Sequence, residues 1–171
     1  METPLEHILT STNKAHMISY LDAHPEDFGE AIELAVSDKQ PYSWRAAWLL
    51  WSCINENDQH IKPYVNTIIK TLSTKNDDYR RELLKILLPI KLNVEHEGFL
   101  FNFCMKIWEK INKKPSVRYT AFKFIVKIMR KHPELTHEIT FLTQSQYLET
   151  MSYATKKSLS EMTKIFNPQF S

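Results

Sequence analysis

Seven histidines, two cysteines and a few adjacent carboxylates are the side chains that could do acid–base, nucleophilic or metal chemistry. The histidines are His7, His16, His24, His60, His96, His132 and His137. No two are four residues apart and no His-Glu-x-x-His occurs, so the helical spacing of a metal site is missing. Glu95, His96 and Glu97 are adjacent and would point different ways on a helix, as solvated residues at a helix start do. Neither Cys53 nor Cys104 has a histidine beside it in sequence. Both read as small buried hydrophobes, and only a histidine brought close by the fold stays open as a partner for nucleophilic chemistry. Glu26–Asp27 and Asp77–Asp78 fit helix starts, where the helix dipole favours negative charge. No catalytic residue, metal or cofactor is assigned, and the chain reads as a non-enzyme.

The strongest functional feature is basic. Residues 1–57 carry nine acidic and three basic side chains, net −6, whereas residues 58–131 carry seven and sixteen, net +9. Between Lys106 and Lys131 nine cations face Glu109 alone. Lys106, Lys110, Lys113 and Lys114 form one stripe at helical spacing, and Lys123, Lys127, Arg130 and Lys131 repeat it on the next segment. Such a ridge suits an acidic protein partner, an anion or a nucleic-acid backbone, and equally a solvated face that keeps the chain soluble.

Composition restricts the alternatives. Only Gly29 and Gly98 are present, so phosphate-cradling loops and dinucleotide fingerprints cannot be written, and Asn-Gly hairpins are missing. An apolar fraction of 43% over 171 residues suits one globular domain with a real core. Met1–Tyr20 lacks the pattern of a secretory signal, and the apolar runs are too short to span a bilayer. Two cysteines without paired spacing point to a reducing, cytoplasmic setting, with no membrane partner.

Helical periodicity runs through the chain, and Pro25, Pro41, Pro63, Pro115 and Pro133 each stand where a helix could begin. The spacing predicts helices near 3–22, 26–37, 42–56, 62–74, 78–92, 97–112, 116–131, 134–147 and 149–166, with Pro89 kinking or ending one of them. An internal repeat organises them. SWRAAWLLWSCI, DYRRELLKILLPI and SVRYTAFKFIVKI each place a bulky residue before an arginine. Arg45, Arg80 and Arg118 lie 35 and 38 residues apart, each followed three and four residues later by apolar side chains. Eleven residues before them stand Leu34, Ile69 and Ile107. A weaker fourth copy, TKKSLSEM, puts Lys156 another 38 residues on. Trp44, Trp48 and Trp51 share one helical face and read as core packing between helices rather than as a recognition patch.

These three helix pairs resemble HEAT repeats. The resemblance covers residues 25–131, and 132–166 loosely. It implies an all-α fold, an α-α superhelix (a HEAT-like solenoid) of three to four helix hairpins with capping helices. Residues 1–171 would be a single repeat domain, with 1–24 an N-terminal cap and 132–171 an atypical C-terminal repeat. It also implies that Arg45, Arg80 and Arg118 are a structural ladder whose guanidiniums meet acidic side chains of adjacent repeats, Asp38, Asp77 and Asp78 being the nearest equivalents here. Second helices of such pairs line the concave surface, so Lys123, Lys127, Arg130 and Lys131 would face a groove. The function implied is a non-enzymatic scaffold that binds a protein or peptide there. The alternative is nucleic-acid binding through the basic 106–131 helices, similar to HEAT-like DNA glycosylases.

Overall fold

A computed structural model describes residues 1–166, so the last residues of the expected C-terminal repeat, 167–171, lie outside the described residues. Every regular element among the described residues is helical. The contacts divide into two compact units, Met1–Leu92 and Asn93–Ser171.

In the first unit the expected helix 3–22 is two helices, α1 (Pro4–Ser11) and α2 (Lys14–Ala23). The break has a local cause. Asn13 leaves the helical conformation and its side chain accepts the His16 N–H, capping α2 as a new helix. α1 itself starts with a capping box between Thr3 and Glu6. A 3-10 turn at Pro25–Asp27 leads into α3 (Phe28–Val36), which packs on α4 (Tyr42–Cys53). A second 3-10 turn, Lys62–Tyr64, leads into α5 (Val65–Leu72), which packs on α6 (Asp77–Leu87). α6 ends before Pro89, whose ring would clash with the preceding turn. α4 is the hub of the unit, touching α1, α2, α3 and α6.

In the second unit α7 (Val94–Glu109) packs along α8 (Pro115–Met129). The expected helix 134–147 is a 3-10 turn at Pro133–Leu135 followed by two short helices, α9 (Glu138–Leu142) and α10 (Ser145–Leu148). α11 (Tyr153–Thr163) closes the unit against α8.

The hairpins therefore run α3–α4, α5–α6 and α7–α8, and the repeat keeps its register within them. Arg45, Arg80 and Arg118 are each the fourth residue of their helix, as Lys156 is of α11. Leu34, Ile69 and Ile107 are all buried in the first helices of the pairs.

Candidate interaction surface

The three arginines serve helix ends. Arg45 Nη1 donates to the Leu9 carbonyl at the end of α1, at 3.0 Å. Arg80 donates from Nε to the Leu72 carbonyl at 2.9 Å and from Nη2 to that of Ser73 at 3.4 Å, closing the end of α5. Its carboxylate partner, Asp77 at 3.2 Å, belongs to its own helix.

Arg118 is fully buried, at 0% exposure. Its Nε donates to the Trp108 carbonyl at 3.0 Å, Nη2 to the Tyr147 carbonyl at 2.8 Å, and Nη1 to Thr150 Oγ1 at 3.0 Å. Its plane lies 4.6 Å from the centre of the Trp108 ring. Burial pulls its pKa below the usual arginine value. A planar fork with five donors can satisfy several orphan carbonyls at once, which lysine cannot. Where the resemblance implies an acidic side chain of an adjacent repeat, Arg45 donates to a main-chain carbonyl and Arg118 to two carbonyls and a threonine hydroxyl. Asp38, one of the three acidic residues expected to meet an arginine, pairs with Lys75, which also donates to the Ser37 carbonyl at 2.9 Å.

The basic stripes are shorter than their spacing suggests. α7 stops at Glu109, so Lys110, Lys113 and Lys114 lie in the connection to α8 and only Lys106 is helical. On α8, Lys123 lies over the Tyr119 ring at 4.6 Å and Lys127 near the Phe124 ring at 5.7 Å. The Tyr119 hydroxyl meets Ser158 Oγ of α11 at 2.6 Å. Arg130 is exposed just beyond the last residue of α8. Lys131 turns back onto the buried Glu97 carboxylate of α7. Burial pushes the Glu97 carboxyl up, but the Lys131 and His132 hydrogen bonds outweigh it and hold the group below its ordinary range. Lys123 and Lys127 are half-buried and Arg130 and Lys131 exposed, Lys131 being paired with Glu97.

The tryptophans require a correction. They do share one face of α4, but that face is not the core. The buried side consists of Ser43, Ala46, Ala47, Leu49 and Leu50, small and aliphatic residues that let four neighbouring helices approach closely. Trp44 is left 42% exposed, and Trp48 and Trp51 are half-buried. The latter two meet edge to face with centroids 6.3 Å apart. The Lys14 ammonium stands 5.0 Å from the Trp48 ring and 5.8 Å from that of Trp51, while Lys85 covers Trp51 at 4.3 Å. Trp51 Nε1 donates to the buried carboxylate of Glu82, which also takes Arg81 Nε at 2.9 Å.

The fold also brings together a cysteine and a histidine that sequence spacing kept apart. Cys53 and His60 line a cleft of about 150 Å³ with Leu21, Asp22, Pro25 and Phe28. His60 is turned to Asp58, at 2.9 Å, and its ring rests 5.2 Å from that of Phe28. Burial, reinforced by Asp22, pushes the Cys53 thiol up to about 11, so it is protonated at neutral pH and a poor nucleophile. Burial also raises the thiol of Cys104. No group of three metal-ligating side chains occurs among the described residues.

Helix pairs in one register, with an arginine at the same place in each second helix, are what a family comparison then explains. Residues 1–165 match the HEAT repeat domain. The chain belongs to that family. No curated protein and no solved structure matches it. HEAT repeat domains generally serve as protein-interaction scaffolds. This HEAT repeat chain has no helix, among the described residues, long and apolar enough to cross a membrane.

Proposed function

We propose that this HEAT repeat chain is a non-enzymatic, cytoplasmic scaffold that binds a protein or peptide through the exposed faces of its second helices. The observation that carries the reading is the match to a family of interaction scaffolds over residues 1–165. The surface composition supports it. Trp44 of α4 is exposed and Trp48 and Trp51 are half-buried, and large aromatic rings are enriched at protein interfaces; α8 adds the ammonium groups of Lys123 and Lys127. On α8, Lys123, Lys127 and Arg130 would take acidic side chains or another anion. The two cysteines are free, which suits a reducing compartment.

A nucleic-acid reading of the 106–131 segment is less well served. Affinity for a phosphate backbone grows with the number of cations presented along a track. Lys131 is taken up by Glu97, and the connection after Glu109 breaks the first stripe. The test is cross-linking of the full chain to its partners, followed by reconstitution from purified components beside titration with duplex DNA at several salt concentrations. A saturable protein complex weakened by combining Lys123→Glu with Lys127→Glu is expected. Duplex binding that falls steeply with salt, with no protein complex reconstituted, would overturn the proposal.

A further inference from the structure

We infer that the tryptophan face of α4 is the dock for an acidic segment of a partner protein, a refinement that rests on the scaffold reading above. Large aromatic rings in a soluble chain are usually covered. Here three stand along one face of one helix, the outermost 42% exposed, while alanines and leucines fill the opposite side. Two of the rings, Trp48 and Trp51, are already fixed in place. Trp51 is tied by its N–H to Glu82, Trp48 meets it edge to face, and Lys14 and Lys85 stand over them. A partner landing there would find rigid apolar area and lose little side-chain freedom in the contact, the condition under which tryptophans dominate binding.

Charge decides what kind of partner fits. Lys14 and Lys85 stand over the rings, and the buried Glu82 carboxylate holds Trp51, Arg81 and, at 3.7 Å, Lys85. Lys14, exposed at the edge of the aromatic face, is therefore the cation a partner meets there, although residues 1–57 as a whole carry net −6. Lys14 has no carboxylate within ion-pair distance among the described residues, and its ammonium stands over the rings. A segment with Asp or Glu beside a large apolar anchor would place the anchor on Trp44 and Trp48 and a carboxylate at Lys14. A basic segment would be repelled there.

Three amphipathic peptides of equal length test this, with Leu and Phe anchors and either Glu, Gln or Lys at the other positions. Three of the chain's four tryptophans lie on the face, so the intrinsic emission of the full chain reports on it. The Glu peptide should bind saturably and shift the emission to the blue, with the Gln peptide weaker and the Lys peptide weakest. Lys14→Glu should weaken the Glu peptide about tenfold. Lys14 is exposed in the first turn of α2, where the dipole favours an acidic residue, so loss of binding in this variant would not stem from unfolding. Equal or tighter binding of the Lys peptide would overturn the inference, as would affinity for the Glu peptide unchanged by both Lys14→Glu and Trp48→Ala. A reconstituted partner that binds Lys14→Glu as well as the parent chain would overturn this dock and leave the scaffold reading standing. Failure to find any partner would remove both.

Discussion

Arg118 shows how one side chain can close several helix ends. It is a buried cation whose compensation comes from two main-chain carbonyls, one threonine hydroxyl and one indole face. Arg118→Ala should lower stability by about 3–5 kcal/mol in urea unfolding, since it leaves a void and unsatisfied buried acceptors. Arg118→Lys should recover only part of that loss, because one ammonium cannot reach three acceptors in different directions. Arg45, half-buried with a single carbonyl partner, should cost about 1 kcal/mol when replaced by alanine. At Glu97 the account predicts pH dependence. Its ordinary value is 4.5 and its folded value is lower, so its contribution is complete above pH 4.5 and is lost as the pH falls through the folded value. Glu97→Gln should therefore flatten the acid limb of a stability-against-pH curve while lowering stability at neutral pH. The arginines were legible as residues in a repeating place. Their partners were not, because carbonyls at helix ends leave no mark in the side-chain sequence.

At the scale of elements, asparagine sets several helix starts. Asn13, Asn76 and Asn93 each accept the N–H three residues on, opening α2, α6 and α7. Asn76→Ala should cost about 1 kcal/mol in urea unfolding, and Asn76→Asp should be tolerated. These caps explain where expectation and structure part. A continuous helix over 3–22 follows from apolar spacing alone, yet Thr12-Asn13 is a readable stop and restart. Pro89 was equally readable, and α6 does end before it. The face that α4 buries was not readable, because four neighbours determine it and tryptophan would suit either side. Alanines at 46 and 47, both fully buried, were the available signal, since small residues mark close helix approach.

At the scale of the whole molecule, the helix pairs and their common register were fully legible, because a repeat prints the same packing problem several times along one chain. The surface was less so. Counting cations between 106 and 131 suggests a continuous basic track, but α7 ends at Glu109 and Lys131 folds back onto Glu97. On the second helices α4 and α8, the exposed Trp44 and the half-buried Trp48, Trp51, Tyr119, Lys123 and Lys127 mix rings with ammonium groups, which suits proteins better than phosphate backbones. The central claim is that second helices carry the binding surface. Amide hydrogen exchange on the full chain, free and in its reconstituted partner complex, tests it most directly. The account predicts slower exchange in α4, α6 or α8 on binding. Protection confined to α3, α5 and α7, or none in any helix of a complex known to be saturated, would contradict it.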